Sequence, residues 1–355
     1  RDIITIKSVS YSFKLDNGIG YIRINQFNSH TTEELRTALD NLEKQGIKGL
    51  IIDLRNNPGG ILNEAIDTVN EFIGKDKLVV FTKGRIKDAN MEYFTRYDRM
   101  RSGYPVIVMV NEASASAAEI FAGSLQDWDK ALIVGKTSFG KGSVQQIFPL
   151  SDGNGMKITT AKYYIKSGRC IHKDINDKIL RGKEVTEADK EKAAEESHKE
   201  VFHTVNGRIV YGGGGITPDV EIDSPLMTKL EIELRRKNVF FNYSVDYMVK
   251  HQHKVSDDYK VDDATYNDFL SYVKNQGITY TPAELDSARS FIKISLESDI
   301  IGKKDDVASY KHALSLDDQF QNTLKIFEKH PSLASMFQYA DTLNKTRKDK
   351  NDKQR

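Results

Sequence analysis

Short, uninterrupted apolar runs separated by amphipathic helices limit this chain more than any other feature. The runs Gly49–Leu54, Val106–Asn111 and Ala131–Val134 are too short for buried helices. Between them lie two helical patterns, 61–73 and 116–128. In the first, Leu62, Ile66, Val69 and Ile73 share one face. Strands apolar on both faces and alternating with helices predict an α/β fold around a largely parallel, buried sheet. Further strands are expected at Ile3–Phe13, Tyr21–Asn25 and Leu78–Thr82. A helix is expected from Thr31, with Glu34 completing a capping box. From Val144 onward the pattern turns to strands alone, Val144–Leu150 and Met156–Ile165.

This core is predicted to span 1–225, with insertions near 84–103 and 173–207. The first insertion is polar and aromatic and is expected to cover a cleft. Residues 173–200 carry 16 charged side chains in 28, as a solvated segment would. After the glycine run at 212–215 the character becomes helical. Ser224 with Pro225, Thr281 with Glu284, and Ser315 with Asp318 are expected to start helices. A separate all-α domain is therefore predicted over 226–342, with a charged, disordered tail over 343–355.

The charge balance, 52 Lys plus Arg against 51 Asp plus Glu, gives no electrostatic footprint for nucleic acid. One cysteine, Cys170, excludes an intrachain disulfide and a cysteine-based zinc site. No apolar run is long enough for a transmembrane segment. Neither a metal nor another cofactor is expected.

Three fragments could carry chemistry. Ser116 stands between an apolar strand and a helix, where free amides favour developing negative charge. Alone, Ser116 with Glu119 also reads as an ordinary capping box. Lys141 lies between Gly140 and Gly142, which leave room for a lysine to enter a cleft. Gly135 to Lys141 fits GxxxxGK, but Gly142 stands where a phosphate loop needs Ser or Thr. DLRNNPGG at 53–60 is a strand-to-helix turn whose amides could face an oxyanion.

Taken together, these segments resemble the C-terminal processing peptidases, also called tail-specific proteases. The matching stretches are GIGYIRINQF at 18–27, DLRNNPGG at 53–60, VNEASASAAEIFAGSLQD at 110–127, VGKTSFGKGSVQ at 134–145, KYYIKSGRCI at 162–171 and GGGGITPD at 212–219. The resemblance implies a crotonase- and Clp-protease-like α/β catalytic core and a serine endopeptidase with a Ser–Lys dyad. It implies Ser116 as nucleophile, Lys141, 25 residues on, as general base, and Gln145 as its assistant. The implied oxyanion hole joins the Ala117 amide to that of Gly60, with Gly59 the alternative. A lysine acts as a base only as the free amine, which burial favours by penalising the ammonium. A neutral glutamine can orient that amine without restoring its charge.

The family further implies protein or peptide substrates with exposed apolar C-termini, a place in the periplasm or otherwise outside the cytoplasm, and compatibility with a homo-oligomer. Its members usually carry a PDZ domain before the core. Only about a dozen residues precede the core here, so the chain is expected to be a piece of a longer protein. A non-catalytic peptide- or lipid-binding relative on the same scaffold is the competing expectation, set against the presence of both dyad residues.

Overall fold

The structure is a computed structural model and describes residues 6–151, 153–174, 185–186, 200–251, 255–256 and 258–353. Its contacts divide the chain into two units, 1–222 with 326–355, and 223–325.

The first unit is built on a six-stranded sheet of order β1-β2-β3-β6-β7-β12. The strands are β1 (Val9–Lys14), β2 (Ile19–Ile24), β3 (Gly49–Asp53), β6 (Val106–Val110), β7 (Leu132–Gly135) and β12 (Val220–Glu221). Only β1 runs antiparallel to its neighbour; the others pair in parallel. β3, β6 and β7 are buried throughout, as apolar strands inside a parallel sheet must be, with Asp53 at the end of β3 the one charged residue among them. Helices α1 (Thr31–Lys44), α2 (Leu62–Ile73) and α3 (Ala117–Asp127) supply the crossovers. Phe121 of α3 meets Phe72 of α2 edge-to-face, with ring centroids 6.0 Å apart. A second, antiparallel sheet has the order β5-β4-β9-β8. It comprises β4 (Leu78–Gly84), β5 (Glu92–Phe94), β8 (Ser143–Pro149) and β9 (Gly155–Ile165). β10 (Val201–His203) and β11 (Ile209–Tyr211) form a hairpin.

The expected α/β core with a helical part is present, and several local expectations are corrected. The Ile3–Thr5 part of the first predicted strand, and most of the second insertion, lie outside the described residues. The N-cap of α1 is His30; Glu34, freed from capping, accepts the Val9 N–H at 2.8 Å instead. The first insertion does not cover the cleft over its second half. Asn70 Oδ1 accepts the Arg96 and Tyr97 amides, and the Arg101 N–H donates to Glu71 O. Tyr104 donates to Glu43 at 2.6 Å. Glu43 and Glu71 close α1 and α2, at the end of the sheet opposite Ser116.

The second unit is helical. Its first helix starts at Lys229, not at Pro225, because Thr228 and Glu231 form the capping box. Thr281 and Glu284 form theirs as expected, whereas Asp317, not Ser315, accepts the Phe320 N–H before the helix Asp318–Lys329. Phe240 stacks on Phe269 at 5.2 Å and meets Phe291 edge-on at 5.7 Å.

Residues from Ile326 on group with the first unit rather than with a helical domain reaching 342. The Phe327 ring lies on Gly49, where a Cβ would be 2.5 Å from it. Phe337 of the last helix, Leu333–Lys353, receives the Arg208 guanidinium 3.8 Å from its ring centre. That helix continues to Lys353, where the sequence predicts a disordered tail.

Candidate active site

β6 ends at Val110, and the turn Asn111–Ala115 delivers Ser116 to the N-terminus of α3. The turn is fixed by its own side chains. The Ser114 hydroxyl accepts the Asn111 N–H at 2.9 Å and donates to Leu54 O at 2.8 Å. Ser114 is therefore fully buried and committed, while Ser116 is half-buried. Ser116 holds φ 58° and ψ −116°, a backbone state rare for any residue but glycine. The next amide, Ala117 N–H, is in the first turn of α3, where no helical carbonyl can receive it. It has no acceptor among the described residues.

The 53–60 turn lies against this serine. Asn56 and Asn111 pair side by side: Asn56 N–H donates to Asn111 Oδ1 at 2.8 Å, and Asn111 Nδ2 to Asn56 Oδ1 at 2.9 Å. The Ala115 N–H donates to Asn57 O at 2.9 Å. A Cβ on Gly59 would sit 2.7 Å from Ser116 Cβ and 2.8 Å from the Ala117 nitrogen, so only glycine permits this approach. The Gly59 amide is already bound to Asn57 Oδ1 at 2.8 Å. That of Gly60 has no acceptor among the described residues, and Gly60 is exposed. Of the two glycines, Gly60 has the amide open to a ligand.

Asp53 braces the turn from below. Its carboxylate accepts the Tyr21 hydroxyl at 2.8 Å, Arg55 Nη2 at 2.7 Å and Arg23 Nη1 at 3.1 Å. Burial alone would raise the Asp53 carboxyl, but the Arg55 and Arg23 guanidiniums outweigh it and hold the group below the usual carboxylate range.

The lysine loop is joined to the serine through Glu119. One oxygen of this buried carboxylate accepts the Ser116 and Lys141 amides, each at 2.8 Å. The other accepts the Gly140 amide at 2.6 Å and the Ser138 hydroxyl at 2.5 Å. Ser138 Oγ in turn accepts the Ile216 N–H at 2.6 Å, which ties in the 212–219 segment. Burial pushes the Glu119 carboxyl up from its ordinary range, against the pull of these four donors.

The fold thus brings together the backbones of Ser116, Ala117, Gly59, Gly60 and Lys141. It does not join all the predicted side chains. No hydrogen bond links Lys141 Nζ to Ser116 Oγ among the described residues, although Lys141 is half-buried. Gln145 lies exposed on β8, and its side chain makes no hydrogen bond among the described residues. Sequence reasoning took Glu119 for a capping residue alone and passed over Ser138 and Asn111. The capping pattern was the one available signal for Glu119, and it does not distinguish a cap from a clamp.

Residues 18–180 match the family described as Peptidase family S41. The match covers 163 of the 355 residues, and this part of the chain is similar to that family. Residues 230–284 match a second family, described as "Probable PDZ-protease, C-terminal helical domain". The S41 part is similar to a carboxy-terminal-processing protease of Bartonella bacilliformis, 41% identical over 175 residues, covering 48% of this chain and 40% of the relative. It is also similar to the carboxy-terminal processing protease CtpA of Bacillus subtilis, 41% identical over 173 residues, covering 49% of this chain and 36% of that one. Each match therefore spans well under two thirds of the relative's length. Among solved structures, the photosystem II D1 C-terminal processing protease is 27% identical, with a TM-score of 0.46, covering 62% of this chain and 49% of that one.

Proposed function

We propose that this protein is a serine endopeptidase that cleaves protein substrates near their C-termini, with Ser116 as nucleophile and Lys141 as general base. One observation carries the reading. The half-buried Ser116 precedes the open Ala117 amide and lies against Gly59, whose neighbour Gly60 carries the other open amide, and one carboxylate ties the Ser116 backbone to that of Lys141.

A serine hydroxyl needs a base to become a nucleophile. In the proposed reaction the Lys141 amine takes the Ser116 proton as Oγ attacks the peptide carbonyl. The negative charge on the carbonyl oxygen is received by the Ala117 and Gly60 N–H groups. The tetrahedral intermediate expels the amine, which leaves with the proton that Lys141 carried, and Ser116 holds the acyl group. Water then attacks, giving its proton to Lys141, which returns it to Ser116 Oγ as the carboxylic acid departs. Gln145 is assigned to orienting the lysine amine. Catalytic hydrogen bonds often tighten only when substrate is bound, so the absence of a Ser–Lys bond in the free protein does not oppose the pairing.

The names of the relatives support action on C-terminal segments. We extend this to exposed, apolar tails and to a location outside the cytoplasm. Among the described residues no helix is long and apolar enough to cross a membrane.

The test is cleavage of an unfolded protein with an apolar C-terminus by the full chain, Ser116→Ala and Lys141→Ala. The reading expects cleavage by the unsubstituted chain alone, with both variants folded. Near-normal cleavage by Lys141→Ala would break the dyad. Tail binding by all three proteins without cleavage would assign a binding scaffold instead.

A further inference from the structure

Asn57 is fully buried, and each of its polar groups is committed. Its N–H donates to Leu54 O at 3.1 Å, and its side-chain Nδ2 donates to Ile24 O, at the end of β2, at 2.8 Å. Oδ1 accepts the Gly59 N–H at 2.8 Å, two residues on, which is the reach of an Asx turn. The Asn57 carbonyl accepts the Ala115 N–H at 2.9 Å. One residue therefore holds β2, the glycine turn and the residue just before Ser116.

The carbonyl bond replaces the one such a turn would make within itself. Asn57-Pro58-Gly59-Gly60 has proline second and a glycine with φ 91° third, the residues of a type II turn. The bond that closes such a turn runs from the fourth N–H to the first C=O. Here it would use the Gly60 amide, and it is not formed; Asn57 O receives Ala115 instead. On the other flank, Phe27 donates to Gly59 O at 2.9 Å and accepts the Ile61 N–H at 2.8 Å, pairing with Gly60 as in a parallel ladder. In that pattern the N–H and C=O of the middle residue point away from the neighbouring strand. The Gly59 amide is taken, the turn stays unclosed, and Gly60 keeps its donor.

We propose that Asn57 is the positioning residue of the oxyanion hole: it withdraws the Gly59 amide and holds the turn unclosed, so that the Gly60 N–H is the donor that meets the substrate's carbonyl oxygen. This rests on the peptidase reading and names what sets the geometry of that site. Being fully buried, Asn57 reaches no substrate and acts through Gly59, Gly60 and Ala115. Without an acceptor at Oδ1 the buried Gly59 amide is stranded, and the turn relieves that cost by rotating its peptide planes. The rotation carries the Gly60 N–H out of place, and an oxyanion donor works only where it is held in advance.

The experiment uses the full chain, a fluorogenic peptide with apolar residues flanking the cleaved bond, and a peptide boronic acid of the same sequence. The boronic acid forms a tetrahedral adduct on Ser116 and so reads the hole directly. Asn57→Thr and Asn57→Val are nearly isosteric and both lose the Ile24 bond, but threonine keeps an oxygen that can accept the Gly59 N–H. The extended backbone favoured before Pro58 suits both side chains. Asn57→Val should lower kcat about a hundredfold with KM within about threefold, and weaken the boronic acid by the same factor. Asn57→Thr should recover at least about tenfold of both losses. The inflection in the pH dependence of kcat/KM should stay where it is in each, since the dyad is untouched. Equal losses in the two variants would assign Asn57 to the Ile24 bond alone and overturn the inference. So would near-normal kcat in Asn57→Val, or a fall in kcat with the boronic acid bound as tightly as before. Each of these leaves the peptidase reading standing, because the unsubstituted chain still cleaves. Neither cleavage nor boronic acid binding by the unsubstituted chain would overturn both. Asn57→Ser and Asn57→Ala differ by the same oxygen, so that pair decides if the branched side chains do not fold.

Discussion

Glu119→Gln asks whether one buried carboxylate holds the serine and lysine segments in register. The carboxylate receives four donors at 2.5–2.8 Å. Glutamine keeps one oxygen and replaces the other by an NH2 group. Its less costly orientation turns the NH2 toward Ser138, whose hydroxyl can rotate to accept, whereas the Gly140 amide can only donate. The Ser116 and Lys141 amides then share one neutral oxygen, and the Gly140 amide faces another donor. A lost bond to a charged acceptor costs about 1.5–3 kcal/mol, and the stranded amide about 1–3 kcal/mol more. Some of this is offset, because glutamine no longer buries a charge that burial already disfavours. The net loss is placed near the low end, about 3 kcal/mol. At about 2–4 °C per kcal/mol, the Tm of the first unit should fall by about 6–12 °C. A loop displaced by about 1 Å should lower kcat about a hundredfold. Thermal denaturation and peptide hydrolysis on the same preparation measure both. A Tm within about 2 °C of the unsubstituted protein, with kcat within about threefold, would refute the clamp.

Two other substitutions probe the turn beside Ser116. Gly59→Ala should lower kcat at least about a hundredfold with the fold retained by circular dichroism, since its Cβ would press on Ser116 and the Ala117 amide at 2.7 and 2.8 Å; near-normal kcat would show that this approach is dispensable. The Asp53 carboxyl, held below its ordinary 3.8, contributes stability that is complete above that value and lost as pH falls through the lower folded-state value. Acid titration of stability should therefore show a step below about pH 4 that Asp53→Asn removes; an identical acid profile in the variant would refute the assignment.

The sheet was legible where burial leaves one solution. Runs such as Val106–Val110, apolar at every position, can form only a strand covered on both faces. The glycines of the turn were legible as motif, but which amide is open was not. That depends on Asn57 Oδ1 capturing the Gly59 N–H, a side-chain contact without periodicity. The second role of Glu119 was hidden for a related reason. A residue three positions past an N-cap has the same spacing whether its carboxylate serves one amide or four. Helix starts were misplaced where several capping residues compete, as Thr228 does with Ser224. The return of the chain to the core at Ile326 was invisible, because Phe327 finds its partner in Gly49, far away in sequence.

The backbone of Ser116 carries a wider consequence. At φ 58° a side chain is held where glycine would rest more easily, at a cost of about 1–3 kcal/mol. The residue assigned the chemistry is therefore the one the local geometry is least suited to accept. Exchange for glycine here removes the hydroxyl and relieves the backbone in a single step. Descendants that lose the reaction by this route become sturdier rather than weaker. Selection for durability alone would erase the serine, so its persistence in a lineage reports continued use.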